Sequence, residues 1–364
     1  MQYRTIPGLD DETSLLGFGC MRLPVDSSGQ IDEAAATAMI DHAIANGVNY
    51  FDTAYGYHNE QSESFVGRAL CSRHPRESFY LADKLPVWKT PDVESAEEVF
   101  QEQLGRMQTD YVDFHLLHAL SKDRWEELKV NGVLDWQRQK KEEGIVHRIG
   151  FSFHDKPEVL KEILEYQHWD FCQLQINYLD WEQYQSKEMY ELCLEHNVPV
   201  VVMEPIRGGS LANPHEDVIS LFKSVAPDYS LAAVALRFVA SLDKVTTVLS
   251  GMSEAVQVTE NLETLGNFTG ISPAEDEMYE QARAIFRTLP LIPCTSCQYC
   301  SICPQQIEMW ELFTCYNNHI SYNNIGSLVK YVREHDIEHL PPACIECYQC
   351  EEQCPQNIEI VKLI

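Results

Sequence analysis

Residues 148–175 read RIGFSFHDKPEVLKEILEYQHWDFCQLQ and combine two short apolar segments with a longer amphipathic one. The segments at the two ends, Arg148–Ser152 and Phe171–Gln175, have the length and apolar character of buried strands. Between them, Pro157–Tyr166 repeats apolar residues at helical spacing and begins with a proline, which is favoured at the first position of a helix. A strand, a helix and a second strand in this order predict two neighbouring parallel strands.

The same alternation continues from residue 12 to about residue 270. Eight parallel strands covered on both faces close into a (β/α)8 TIM barrel, so we predict this α/β fold. A doubly wound sheet is the alternative on the pattern alone, although no G-x-G-x-x-G motif follows an early strand. The predicted strands are Leu15–Gly19, Val48–Asp52, Phe79–Lys84, Val112–His118, Arg148–Ser152, Phe171–Gln175, Val198–Met203 and Val245–Ser250. The predicted helices begin with one capped by Asp32 and also cover Glu60–Leu70, Ser95–Met107, Arg124–Glu143, Pro157–Tyr166, Ser186–Asn197 and Leu231–Ser241.

A last predicted helix ends at Pro290 and Pro293, where a region of different composition begins. Eight of the 13 cysteines follow in two runs of four, each ending in Cys-Pro. We therefore predict a barrel domain over residues 1–285 and a small ferredoxin-like domain of helices and loops over residues 286–364.

The second cysteine run has the spacing C-x2-C-x2-C-x3-C-P, which is typical of 4Fe–4S ligation in bacterial ferredoxins. In two-cluster ferredoxins the fourth cysteine of each run binds the other cluster. The two predicted ligand sets are Cys294, Cys297, Cys300 with Cys354, and Cys344, Cys347, Cys350 with Cys303. In the first run Cys303 comes one residue early, and Cys315 is its alternative. Structural zinc, disulfides, or clusters that serve only folding are the competing interpretations.

Charge and hydropathy limit the classes of partner. The 27 basic and 56 acidic residues give a net charge of −29, which argues against nucleic acid and anionic membrane surfaces. The first residues lack the apolar segment of a signal peptide, and no apolar run is long enough to cross a bilayer. We expect a cytoplasmic protein whose thiols stay reduced.

Several strand ends carry polar side chains. Asp52, Lys84, His118 and Ser152 end four consecutive predicted strands, and Tyr57 follows the first of these. In a (β/α)8 barrel these ends converge on the active site. A buried Lys84 ammonium, held by Asp52, lowers the cost of ionising a neighbouring phenol and equips Tyr57 as a general acid. Each residue taken alone has an ordinary structural explanation, such as a plain ion pair or a packed histidine.

Four segments carry a family resemblance: Asn49-Tyr-Phe-Asp-Thr-Ala-Tyr-Gly-Tyr57, Leu81-Ala-Asp-Lys84, Asp110-Tyr-Val-Asp-Phe-His-Leu-Leu-His118 and Ile149-Gly-Phe-Ser152. They resemble the aldo-keto reductases, and the whole chain resembles the subgroup with a C-terminal ferredoxin-like domain. The resemblance implies a catalytic tetrad of Asp52, Tyr57, Lys84 and His118 and a nicotinamide cofactor bound by the barrel. It also implies cofactor contacts from Ser152, Gln173, Asn177, Glu260 and Asn261.

The chain departs from that family at the cofactor. Met203 stands where an aromatic ring commonly covers nicotinamide, and Gly251 and Gln257 stand where NADP-specific members place a lysine and an arginine. We expect NADH, or NADPH held weakly, because the 2′-phosphate loses its best partners. Arg207 and the two glycines after it either wrap the pyrophosphate or form a plain turn.

The main functional hypothesis is an oxidoreductase that reduces a carbonyl compound, or oxidises an alcohol, with NAD(P)H, its clusters being auxiliary or passing electrons. Nicotinamide passes two electrons and each cluster passes one, so a second hypothesis is a reductase fed by a redox partner protein through a flavin or a radical step. A third is a non-catalytic redox sensor or electron-relay subunit. Trp88, Phe153, Tyr178, Trp181 and His154 are candidates for the substrate mouth.

Overall fold

A computed structural model describes residues 1–6, 12–294 and 296–364. The chain divides into two compact units, Met1–Gly208 with Ala232–Pro273 and Gly209–Leu231 with Ala274–Ile364. None of the helices in the described ranges has the length and apolar character that a membrane-spanning helix needs.

The first unit contains a closed barrel of eight parallel strands among the described residues. The prediction of a (β/α)8 barrel is confirmed, and each predicted strand is present with its ends shifted by at most a few residues. The strands are β1 Tyr3–Thr5, β2 Glu12–Ser14, β3 Leu16–Gly19, β4 Tyr50–Asp52, β5 Tyr80–Leu85, β6 Val112–Leu120, β7 Val146–Phe153, β8 Phe171–Gln175, β9 Val200–Met203 and β10 Val245–Gly251. Around the barrel, their order is β10-β3-β4-β5-β6-β7-β8-β9.

The helices follow the strands as the alternation predicts. They are α1 Glu33–Ala45, α2 Ser62–Val66, α3 Val93–Met107, α4 Lys122–Asn131, α5 Val133–Glu142, α6 Pro157–Tyr166, α7 Asp180–Gln183, α8 Ser186–Glu195, α9 Glu216–Val225, α10 Leu231–Ala240, α11 Ala255–Gly266, α12 Pro273–Thr288, α13 Met309–Tyr322, α14 Ile325–Glu334, α15 Gln349–Glu352 and α16 Ile360–Leu363. At the start of α1, the Asp32 side chain accepts a hydrogen bond from the Ala35 amide at 3.0 Å, which satisfies a free N–H of the first turn.

The prediction of one helix over Arg124–Glu143 is wrong. Gly132 has a φ of 83° and separates α4 from α5. A left-handed residue ends the first helix because it turns the next N–H away from the helical ladder, and glycine adopts this conformation at little cost.

The β1–β2 hairpin was not predicted from the sequence. Its strands are antiparallel and three residues each, too short for an alternating pattern to stand out. Within the barrel, inward side chains from several strands form an apolar core: Tyr50, Ala82, Phe114, Leu116, Phe171, Val201 and Leu249, with Ile6 beside them. The barrel is therefore a packed core with its site at one end, as the fold requires.

Close packing around the barrel depends on Gly67, in a π-helical turn that continues α2 over Gly67–Cys71. A Cβ at this position would lie 2.4 Å from the carbonyl oxygen of Arg106, at the end of α3. The two backbones approach this closely only because the side chain is absent.

The second unit contains α9, α12 from Ala274 onward, α13, α14 and several short helical turns. Its apolar cluster consists of Ile307, Met309, Phe313, Ile358 and Ile360 together with Cys300 and Cys350. Residue 285, the predicted domain boundary, lies inside α12, which belongs to this unit from Ala274 onward. The division into domains 1–285 and 286–364 stays a prediction.

Candidate active site and cysteine-lined cavities

The carboxyl ends of the barrel strands surround an open pocket. Seven of the residues predicted to be catalytic or to bind the cofactor line this pocket: Asp52, Tyr57, Lys84, His118, Ser152, Gln173 and Met203. They come from strands β4 to β9 or the loops after them, so the fold brings together residues that are distant in sequence.

Lys84 is the centre of the polar contacts in the pocket. Its ammonium is buried and donates to Asp52 Oδ1 at 2.5 Å, to the Thr53 carbonyl at 2.9 Å and to the Tyr57 hydroxyl at 3.1 Å. These acceptors use all three donors of the group. The ammonium is therefore fixed in position with one N–H directed at the phenol oxygen.

The polar groups around Lys84 shift one another's pKa values. Burial by itself lowers the pKa of Lys84, but the charge of Asp52 and the contacts with Asp52 and Tyr57 outweigh it, so the pKa is raised and the ammonium stays charged. Burial raises the pKa of Tyr57 more than Lys84 lowers it. The sequence led us to expect an easier ionisation of this phenol. The structure instead keeps it protonated, because withdrawal from water penalises phenolate more than one cation compensates.

His118 is a neutral imidazole in this environment. Burial lowers its pKa well below the ordinary value, and the positive charges of Lys84, His154 and Arg124 add to the shift. Its ring lies 6.2 Å from the Tyr57 ring and 5.2 Å from the Trp88 ring, centroid to centroid. Within the described chain, its buried Nδ1 atom has no hydrogen-bond partner.

Left-handed backbone follows two of the pocket residues. Residues 58–60, directly after Tyr57, have φ angles of 50°, 53° and 67°, and Ala119, directly after His118, has 56°. None of these is a glycine. His58 and Asn59 are of types that adopt this conformation comparatively often, whereas Glu60 and Ala119 adopt it at a cost that the surrounding structure must offset. The two loops therefore hold Tyr57 and His118 in defined positions.

Three residues predicted to contact the cofactor lie side by side at the pocket. Ser152 Oγ accepts a hydrogen bond from the Ala119 amide at 2.7 Å and retains its own proton to donate. Gln173 Nε2 donates to Met203 Sδ at 3.7 Å, and its buried Oε1 atom has no partner among the described residues. This part of the pocket thus offers a free acceptor beside a hydroxyl donor.

Asn177 and Arg207 lie outside this group. The Asn177 side chain is buried and uses both its amide hydrogens and its oxygen within the protein, with Asp180, Leu179 and the Glu204 carbonyl. Arg207 Nε lies 3.5 Å from Asp180 Oδ1. Asn177 fixes a loop through these contacts, and its role as a cofactor ligand stays a prediction, as does that of Arg207.

The predicted adenine-binding pair also lies away from the pocket, on α11. Asn261 is buried and donates to Ser250 Oγ at 3.0 Å, and Glu260 is half-buried. Their contact with an adenine stays a prediction.

Of the residues proposed for the substrate mouth, only His154 lines the pocket. Phe153 and Tyr178 are buried, and Trp181 packs against Tyr190 and Phe238. Trp88 is 46% exposed and stacks with Arg124 at 4.8 Å.

Sequence reasoning missed pocket residues that follow the first and seventh barrel strands. Met21 and Arg22 come just after β3, and Glu204 comes just after β9. The strand-end rule that found Asp52 and Lys84 would have found them, because the same rule applies to every strand of the barrel.

The eight C-terminal cysteines line two cavities within the second unit. Cys294, Cys297, Cys300 and Cys354 line one of them, together with apolar side chains such as Trp310 and Phe313. Cys303, Cys344, Cys347 and Cys350 line the other. These are the two sets of four cysteines that the sequence analysis predicted as ligand sets. Cys315 is buried on α13 and lines neither cavity.

The two cysteine runs have the same local backbone. The second residue after the first cysteine, Ser296 or Glu346, has a φ of 54° and donates its N–H to that cysteine's sulfur at 3.4 Å. Two residues later, Gln298 and Tyr348 have φ angles of 63° and 60°. Two loops that share left-handed positions and N–H···S contacts are built to present sulfur atoms in the same way.

The sequence pattern of the Aldo/keto reductase family matches residues 15–281. The chain belongs to this family. The matched span covers the barrel and ends before Cys294, so the aldo/keto reductase assignment rests on the barrel and its strand ends.

Solved and curated relatives agree with this assignment. The fold is similar to that of the aldo-keto reductase AKR11C1 from Bacillus halodurans in its holo form, with a TM-score of 0.64 and 29% identity over 77% of this chain and 96% of that one. The uncharacterized oxidoreductase YqkF of Bacillus subtilis (strain 168) is 26% identical over 294 residues, 72% of this chain and 90% of its own. The NADH-specific methylglyoxal reductase of Escherichia coli (strain K12) is 24% identical over 309 residues, 71% of this chain and 91% of its own. The aldo/keto reductase described here is an oxidoreductase.

Proposed function

We propose that this aldo/keto reductase reduces the carbonyl group of a small molecule to an alcohol with NAD(P)H, and that Tyr57 donates the proton. The observation that carries the proposal is the contact of 3.1 Å between the buried Lys84 ammonium and the Tyr57 hydroxyl, beside Asp52 at 2.5 Å. When bound, the reduced nicotinamide supplies a hydride to the carbonyl carbon.

Each member of the tetrad has one task in this proposal. Tyr57, kept protonated by burial, transfers its proton to the carbonyl oxygen as that oxygen gains negative charge. Lys84 stabilises the phenolate left behind, and Asp52 keeps Lys84 charged and in place. Neutral His118 orients the carbonyl oxygen by a hydrogen bond.

The pocket residues fit a nicotinamide carboxamide. A carboxamide has N–H donors and a carbonyl acceptor, and the free Oε1 of Gln173 and the hydroxyl of Ser152 complement both. The Met203 thioether, which lines the same pocket, supplies an apolar, polarizable surface for a flat ring. These three residues would hold the ring end of the cofactor.

Replacing Tyr57 with Phe tests the proton-donor role. We expect turnover to fall by about 10²–10⁴-fold, which is what a general acid supplies, while nicotinamide affinity stays nearly unchanged. Steady-state reduction of a carbonyl panel and a fluorescence titration with NAD(P)H measure the two quantities. Tyr55→Phe is the matched control, because Tyr55 donates to Glu102 and does not line the pocket. A Tyr57→Phe variant with more than half of wild-type turnover contradicts the proposal.

We further propose that the two cysteine-lined cavities hold two 4Fe–4S clusters, auxiliary to the barrel reaction. Four thiolates also suit zinc, but zinc at about 2.3 Å from each sulfur draws the four sulfurs to about 3.8 Å of one another. Among the described residues, Glu308, Glu311 and His335 are the one group of three potential ligands whose atoms lie within 4.8 Å of each other, so no three of these sulfurs are that close. The wider separation favours a cluster over a single ion.

Iron and sulfide analysis tests the cluster proposal. We expect about eight iron and about eight acid-labile sulfide per chain in protein purified and reconstituted without oxygen. A preparation that holds only zinc, or only about four iron, contradicts the assignment of two clusters. Cys315→Ser is the matched control and is expected to retain the full iron content, since Cys315 lines neither cavity.

A further inference from the structure

Arg22 occupies a position at the pocket that no feature of the tetrad explains. It ends the short turn Cys20–Arg22 directly after β3, and its side chain lines the pocket with 45% of its surface exposed. Its backbone carbonyl accepts a hydrogen bond from Ser253 Oγ at 2.8 Å, which joins this turn to the loop after β10. The base of the side chain is therefore fixed between two strand ends.

The stem of Arg22 runs through the space that a side chain at Gly251 would fill. A Cβ at Gly251 would lie 3.1 Å from both Cβ and Cγ of Arg22 and 3.3 Å from its Cδ. Gly251 is the position where the resemblance places a lysine in NADP-specific relatives. In this chain the stem of a cationic side chain that follows the first barrel strand occupies the space beside Gly251.

The guanidinium of Arg22 reaches the start of the glycine loop after β9. Nη2 lies 3.1 Å from where a Cβ at Gly208 would be, so the head is close to this backbone because Gly208 has no side chain. The nearest carboxylate, on Glu204, is 3.7 Å away, too far for a hydrogen bond. Within the described chain, the guanidinium donates no hydrogen bond, although it has five N–H donors.

We propose that Arg22 binds a phosphate group of the dinucleotide cofactor. The proposal rests on the proposed use of NAD(P)H. A planar guanidinium with unused donors suits phosphate oxygens, which accept paired N–H bonds. Without a bound phosphate, the Arg22 guanidinium lies near the Glu204 carboxylate. When the cofactor binds, the guanidinium exchanges this carboxylate for the phosphate. The ligand is either the pyrophosphate, common to both cofactors, or the 2′-phosphate of NADPH.

Direct binding measurements on the full chain test this role without reference to turnover. NADH and NADPH are titrated by fluorescence against wild type, Arg22→Met and Arg22→Lys, at low and at moderate salt. Arg22→Met keeps the stem that packs on Gly251 and removes the charge. We expect it to weaken binding by about tenfold or more and to reduce the salt dependence, while Arg22→Lys retains part of the affinity.

Comparing how much affinity Arg22→Met loses for NADH and for NADPH shows which phosphate Arg22 contacts. Equal weakening of NADH and NADPH assigns Arg22 to the pyrophosphate, and weakening of NADPH alone assigns it to the 2′-phosphate. Arg68→Met is the charge-matched control, because Arg68 is exposed, pairs with Glu33 at 2.6 Å and does not line the pocket. Unchanged affinity of Arg22→Met for both cofactors overturns the proposal.

Glu204→Gln gives a second, opposite test. Removing the competing carboxylate is expected to tighten binding of the same cofactor by a few fold, and unchanged or weaker binding contradicts the release of Arg22 from Glu204.

Failure of the proposed function is distinguishable from failure of this inference. A wild-type protein that binds neither cofactor overturns both, whereas intact cofactor binding by Arg22→Met overturns only the role of Arg22.

Discussion

The barrel and the cysteine region complete their cores in different ways. Inside the barrel, Tyr50, Phe114 and Phe171 are at most 1% exposed and pack on one another from different strands. In the cysteine region, which is the C-terminal part of the second unit, the apolar cluster has Cys300 and Cys350 among its members, while Tyr299 and Ile337 are 64% and 78% exposed. One region buries enough apolar surface to fold by packing. The other places thiols at its centre, and in our proposal the free energy of metal binding there would add to the free energy of folding.

Iron removal is the strongest test of this difference. Chelation under anaerobic conditions is expected to remove stabilisation on the order of 10 kcal/mol per site from the cysteine region and to leave the barrel folded. Hydrogen exchange should then show lost protection over residues 296–364 and retained protection in β4 to β8. Carbonyl reduction should persist, because the proposed reaction uses barrel residues alone. Loss of protection in both regions together would contradict the comparison.

A glycine substitution tests how tightly the barrel region is packed. Gly67→Ala places a methyl group 2.4 Å from the Arg106 carbonyl oxygen, and we expect a loss of about 1–3 kcal/mol in the free energy of unfolding. Gly105→Ala is the control on the neighbouring helix α3, where a Cβ meets no atom within 4 Å. It should stabilise by about 0.4–1 kcal/mol. Denaturant unfolding followed by barrel tryptophan fluorescence measures both, and equal effects of the two substitutions would show that packing at Gly67 is not tight.

Cofactor preference is the smallest expected effect and concerns the barrel mouth. Gly251 has no side chain, and the Gln257 side chain is occupied by the Ser253 amide at 2.8 Å, so neither position supplies a cation to a 2′-phosphate. The net charge of −29 disfavours the extra phosphate as well. We expect kcat/KM for NADPH and NADH to agree within about tenfold, which is about 1.4 kcal/mol. A hundredfold preference for NADPH in steady-state kinetics would contradict this.

Local patterns in the sequence predicted most of the framework. The apolar strands and amphipathic helices predict the barrel, because the spacing of apolar side chains along the sequence indicates which faces of each element are buried. The position of Asp52, Lys84 and His118 at strand ends predicts their convergence, since parallel strands of a barrel end on one face. The break at Gly132 and the hairpin β1–β2 were missed, because a single left-handed residue and three-residue strands leave weak local signals.

What the sequence by itself determined is the set of elements and the identity of the groups at their ends, including two sets of four cysteines at fixed spacing. Only the tertiary structure decided how those groups affect one another. It raises the pKa of Tyr57 because the fold withdraws the phenol from water more than Lys84 compensates. It turns Asn177 inward to a loop, and it lays Arg22 across Gly251. These outcomes depend on distances between residues far apart in the chain, and no local pattern encodes such distances.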